Sequence, residues 1–159
     1  MKIQFSNRLR LLALSLVLAG LNSGCFLFHT HSGYAPVHQY AKDGDAAKVA
    51  AELDKHGWLA NQGDDAGLTP LHYAALHCHT NVVALLLKRG ADVNRAAKDA
   101  TTPLHVAAQE GCGDAVQMLL AKHAKINARD TEDRTPLKRA ELWHQDAVAD
   151  LLRARGGSE

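Results

Sequence analysis

The sequence predicts an all-α solenoid of about four helix-turn-helix repeats, each followed by a short β-hairpin-like finger. Two observations carry this expectation. First, Thr69-Pro70-Leu71-His72 recurs as Thr102-Pro103-Leu104-His105 and as Thr135-Pro136-Leu137-Lys138, each time 33 residues on. A fixed period of that length is the mark of a stacked-repeat architecture. Second, aromatics make up only 5% of a chain dominated by Ala and Leu, which favours thin, closely packed helices over a β-sandwich.

Other positions keep the same step: Ala74, Ala107 and Ala140; Leu86, Leu119 and Leu152; Asn94 and Asn127. Gly57, Gly90 and Gly156 sit on this grid too, with His123 in the remaining place. A worn copy runs from Val37-His38 through Val49, Leu53, Gly57 and Asn61, offset by one residue and lacking the Thr-Pro start. The repeats therefore span about 36–64, 65–97, 98–130 and 131–156, with a tail at 157–159. Within one copy, Thr69 suits an N-cap, and Pro70 suits the first helical position, where its missing N–H is not needed. Leu71, Ala74 and Ala75 form one apolar stripe. Asn81 is expected to cap a second helix that buries Val82, Val83, Leu85, Leu86 and Leu87. Gly90 then supplies a left-handed stop, and Ala91-Asp92-Val93-Asn94 leads into the finger.

Asp65 to Asn94 resembles the consensus of the ankyrin repeat, and the resemblance extends over about 36–156 as an ankyrin-repeat solenoid. It implies that His72 and His105 hydrogen-bond locally and that His79 fills the histidine of a Gly-His turn. Terminal copies of a solenoid have one face in water, which accounts for Lys138, Glu141 and Arg153 in the last one. Gly67 corresponds to Ala100 and Asp133; if the family's positive-φ turn persists there, Asp tolerates it better than Ala. The resemblance also implies a concave protein-binding face of finger tips and first-helix surfaces. Its rows read Gln39, Tyr73, Val106, Arg139; Lys42, Leu76, Gln109, Leu142; and Asp43, His77, Glu110, Trp143. Tyr73, Leu76, His77, Val106, Glu110, Arg139, Leu142 and Trp143 are the candidate partner-binding residues, since aromatic and Arg side chains dominate interface energetics.

The N-terminus is a different kind of sequence. Lys2, Arg8 and Arg10 precede an apolar core from Leu11 to Leu21, and Ser23-Gly24 leads to Cys25. This is signal-peptide anatomy over residues 1–24, with a core short for a membrane span. Gly24-Cys25 resembles the lipobox of bacterial lipoproteins, although Asn22 stands where that family usually has Leu. The resemblance implies acylation of Cys25, followed by a tether over 25–35. An ordinary secretory leader and an uncleaved anchor are the alternatives, and all three point to the cell envelope. Without residues 1–24 the chain has 15 Lys+Arg against 17 Asp+Glu, a formal charge of −2.

The remaining chemistry is sparse. No basic run or nucleic-acid motif is present, and neither a Gly-rich phosphate loop nor a Gly-x-Ser-x-Gly elbow occurs, so no enzyme and no cofactor are expected. Three consecutive residues, His77-Cys78-His79, cannot converge on one tetrahedral ion unaided, so no metal is expected either. With Cys25 acylated, Cys78 and Cys112 are the two thiols left in an oxidising compartment. They form a candidate disulfide between helix-helix turns of adjacent repeats, although 34 residues apart rather than 33. The expected function is a monomeric, lipid-anchored periplasmic module that binds another protein as adaptor, chaperone, inhibitor or immunity-like partner. The alternative is a metal-, haem- or small-molecule-binding envelope protein using the His/Cys-rich turn.

Overall fold

The structure is a computed structural model that describes residues 35–159, and Cys25 lies outside them. The described residues contain four helix pairs: α1 (Pro36–Lys42) with α2 (Ala46–Lys55), α3 (Pro70–Leu76) with α4 (Thr80–Lys88), α5 (Pro103–Gln109) with α6 (Gly113–Ala121), and α7 (Pro136–Leu142) with α8 (Asp146–Ala154). Helices α1, α3, α5 and α7 stack as one layer, and α2, α4, α6 and α8 as the other. Each first helix is only 7 residues long, too short to persist alone. Stability therefore resides in the interfaces, where Leu71, Leu104, Val82, Val83, Leu86, Val116, Leu119 and Leu152 are fully buried. Leu85 and Leu87, by contrast, are only half-buried on the outer layer.

A histidine staples each of the first three starts. The Thr69 N–H donates to His72 Nδ1 at 3.0 Å, and His72 Nε2 reaches the Thr101 carbonyl of the next repeat at 3.0 Å. His105 does the same between the Thr102 N–H and the Arg134 carbonyl, at 3.2 and 3.1 Å. His38 does so between Ala35 and Gln62, at 3.0 and 2.9 Å. A carbonyl only accepts, so Nε2 carries the proton, and at His72 and His105 the N–H donated to Nδ1 makes that nitrogen the acceptor of a neutral ring. In the last copy Lys138 replaces the histidine; its N–H donates to Thr135 Oγ1, whose hydroxyl donates to the Ser158 carbonyl.

Two readings need correction here. The first copy lacks only the Thr of its Thr-Pro start, because Pro36 occupies the first turn of α1 as Pro70 does that of α3. The one-residue offset comes from α2, which has 10 residues where α4, α6 and α8 have 9. Asn81 does not cap α4, which starts at Thr80; its amide donates instead to the Gly44 carbonyl of the preceding repeat, at 3.3 Å.

Neutral buried histidines make the stack acid-sensitive. Burial pushes His72 down to about 4 from its ordinary 6.5, against the pull of the Thr101 carbonyl, and burial lowers His105 too. The unfolded chain therefore takes up these protons before the folded one does. The stabilisation is intact above about pH 6.5 and is lost as pH falls towards 4, by roughly 3 kcal/mol for His72 alone. Denaturant titrations at pH 7.5 and 4.5 check this; equal stabilities would contradict it.

Fingers and asparagines complete each seam. Each finger closes as a hairpin-shaped turn, as in Asp64 N–H to the Leu68 carbonyl and Ala97 N–H to the Thr101 carbonyl. Adjacent fingers join through Lys98 N–H to Ala66 and Thr131 N–H to Asp99. Asn61, Asn94 and Asn127 each donate to a carbonyl 29 residues on and accept an N–H 31 residues on. The finger turns have positive φ: +83° at Gly67, +60° at Ala100 and +58° at Asp133. A left-handed Ala carries a penalty of roughly 1–2 kcal/mol that Gly avoids, offset in part by the freer unfolded chain. Ala100→Gly is accordingly expected to raise stability by about 0.5–1 kcal/mol in denaturant melts; a loss of stability would contradict it.

Candidate protein-binding site

The face built by the fingers and first helices is only partly a set of free side chains. Leu142 and Trp143, at the end of α7, are 50% and 45% exposed. His77 and Glu110 are exposed, while Tyr73 and Leu76 are half-buried. Val106 and Arg139 are 8% and 7% exposed. Arg139, expected from its row to be a partner-binding anchor, lies instead inside the stack.

Asp130 is the reason. Its Oδ1 accepts the Glu132 and Arg134 N–H groups of the finger turn, both at 2.9 Å. Its Oδ2 accepts Arg134 Nε at 3.0 Å and Arg139 Nε and NH2 at 2.9 and 2.7 Å. Burial works to raise this carboxyl, but the Arg134 N–H and the two guanidiniums outweigh it and hold it well below the carboxylate range. Arg139 also donates to Thr101 Oγ1 at 2.8 Å and to Gln109 Oε1 at 3.3 Å. The guanidinium thus ties α7 to two fingers.

The other repeats vary this theme. Asp64 accepts the Ala66 and Leu68 N–H groups and the Tyr73 hydroxyl, the last at 2.7 Å. In the middle repeat the same two slots hold Ala97 and Val106, and Asp99 braces that finger instead, taking the Thr101 N–H and O–H at 3.0 and 2.8 Å. Acid and donor are present together or absent together. The pairing of Asp64 with Tyr73 and Asp130 with Arg139, nine residues apart in both cases, was visible in the sequence and marks Arg139 as a brace.

At the turns, each second-helix entry reaches back over the preceding repeat. His79 Nε2 meets the Lys42 carbonyl at 3.0 Å, and a Cβ on Gly44 would come within 2.8 Å of its ring. Gln145 covers Gly111 in the same way. Between them, exposed Cys78 (φ +55°) occupies the slot of Gly44 and Gly111, and buried Cys112 occupies that of His79 and Gln145. The two are joined as a disulfide, with Cα atoms 5.2 Å apart. The one-residue excess in spacing follows from this geometry, because the bond runs from one slot to its neighbour across the seam. Bonded sulfurs offer no thiolate to a metal, which leaves His77 and His79 as a stacked pair with ring centroids 6.0 Å apart. Among the described residues no group of three or more His, Cys, Asp or Glu is placed to hold a metal ion, and no helix is long and apolar enough to cross a membrane.

Two-helix units clasped only to their neighbours, with one face made of fingers and first helices, define a helical repeat solenoid. The chain belongs to the ankyrin repeat family: a profile described as ankyrin repeats in three copies matches residues 8–97, more than half of it, and one described as ankyrin repeats in many copies matches 86–140. No curated protein matches the chain significantly. Ankyrin repeats are protein–protein interaction modules and are generally non-enzymatic, so the chain is a module that binds a protein partner.

Proposed function

We propose that the chain is a monomeric adaptor or inhibitor in the bacterial cell envelope, tethered by acylated Cys25 and gripping one partner protein through its finger-side face. Leu142 and Trp143 carry this reading. They are two large apolar side chains left about half exposed, side by side, at the end of a first helix, where a solvated surface needs neither. Aromatic anchors of this kind supply much of the energy of a protein interface. The N-terminal pattern ending at Cys25 supports the envelope location, and a disulfide between the remaining cysteines suits an oxidising compartment.

Crosslinked capture from envelope membranes followed by mass spectrometry tests both halves. Trp143→Ala and Leu142→Ala are expected to weaken capture of one stoichiometric partner at least tenfold, about 1.4 kcal/mol, with the melting transition retained. Cys25→Ser is expected to move the protein out of the detergent phase, because stable anchoring requires acyl chains, or to leave its precursor uncleaved. Undiminished capture by the α7 variants would refute the assigned face, and unchanged partitioning and processing would refute the lipid anchor.

A further inference from the structure

The row Tyr73, Val106, Arg139 runs long, short, long, and the short member leaves a hollow between its neighbours. This cavity has a volume of about 180 Å³, with Leu68, Tyr73, Leu76 and Val106 as apolar walls and Asp99 and Arg139 among its lining residues. The repeat grid shows what makes this seam apolar. At the following seam Thr101 and Gln109 take the places of Leu68 and Leu76, and at the preceding seam Lys42 takes that of Leu76, so polar residues stand in these slots where Leu68 and Leu76 stand here.

Size and charge together select the occupant. Small-molecule sites run to about 300–1,000 Å³, so a space this small suits one side chain. Arg139 contributes little net charge, because Asp130 takes its Nε and NH2. Asp99 is exposed, and its two oxygens are fixed in place by Thr101. Exposed Glu110 lies one residue beyond Gln109, another lining residue, and accepts its amide. The hollow is thus apolar inside and acidic beside its mouth.

We propose that this hollow receives a single Leu-, Met- or Phe-sized side chain of the partner, and that a Lys or Arg next to that residue in the partner chain pairs with Asp99. The proposal rests on the protein-binding reading and adds the partner's chemistry to it.

The test uses blocked pentapeptides with a central Leu, Met or Phe flanked by Arg, and their Glu-flanked counterparts, added to methyl-labelled protein. The Arg-flanked set is expected to shift the methyls of Leu68, Leu76 and Val106, and Glu flanks to weaken binding at least tenfold. Val106→Tyr fills the hollow and is expected to abolish the shifts at Leu68 and Leu76. The same slot holds Tyr73 and Arg139 in other repeats, so the stack has room for the larger side chain. Leu76→Gln, which copies Gln109, gives a second variant with the same expected loss. Shifts confined to Leu87 and Met118 on the outer layer, equal binding of Glu-flanked peptides, or no binding at all would each overturn the proposal. Loss of peptide binding with partner capture through Trp143 intact removes the hollow and leaves the protein-binding reading standing. The reverse pattern removes that reading and leaves the hollow as a peptide site.

Discussion

Asp130→Ala is expected to destabilise the stack by about 5 kcal/mol, the upper end of what breaking a buried ion pair produces. Five hydrogen bonds converge on this carboxylate: two from finger N–H groups and three from Arg134 and Arg139. Its removal opens the finger turn at 130–134 and strands the Arg139 guanidinium, whose side chain is 8% exposed, without a counter-charge. Arg139→Ala is expected to be milder, about 3 kcal/mol at the lower end of that range, because Arg134 stays on Asp130. Asp130→Asn keeps one oxygen for the finger turn and should fall between the two. Denaturant unfolding of the three variants provides the check, and a loss below about 1 kcal/mol for Asp130→Ala, the scale of a surface pair, would overturn the account. Arg139 is accordingly unsuited to the role expected of it from its row, since no substitution there separates binding from folding.

Removing the Cys78–Cys112 bond is expected to lower stability by about 3–4 kcal/mol, the chain-entropy value for a cross-link between residues 34 apart. The double variant Cys78→Ser/Cys112→Ser and the reduced protein should agree to within about 1 kcal/mol, because both keep a left-handed side chain at position 78. Cys78→Gly/Cys112→His is the more informative pair. It rebuilds the Gly44–His79 arrangement at the middle seam and should recover about 1 kcal/mol over the Ser variant, chiefly by relieving the φ of +55°. A double Ser variant as stable as the oxidised protein would show that the bond adds nothing to the folded state.

Helices, caps and seams were legible because a solenoid repeats its physics at a fixed step. Thr-Pro starts, Leu86 and Leu119 in the core, and the left-handed Gly90 all follow from one copy read three times. What escaped were interactions that cross from one slot to a different one. The disulfide runs between neighbouring slots, so its 34-residue spacing looked like a misfit to a 33-residue grid. Asn81 has the chemistry of a cap, yet the preceding repeat offers it the Gly44 carbonyl, and the long-range partner wins. Arg139 has the composition of an interface anchor, and only the acid nine residues before it, compared across repeats, distinguishes a brace from a free side chain. The hollow beside Val106 was within reach of the same comparison, as the place where a short residue interrupts a row of long ones.

The bond between Cys78 and Cys112 also sets how the chain responds to tension. A solenoid pulled from its ends gives way one repeat at a time, since each holds only its neighbours. Here the segment between the two cysteines lies outside the load path, bridged by a cross-link whose Cα atoms are 5.2 Å apart. Fully drawn out, the oxidised chain would be shorter than the reduced one by about 110 Å, at roughly 3.4 Å per sequestered residue. A load applied through the two ends would find the outer repeats compliant and the middle of the stack inextensible.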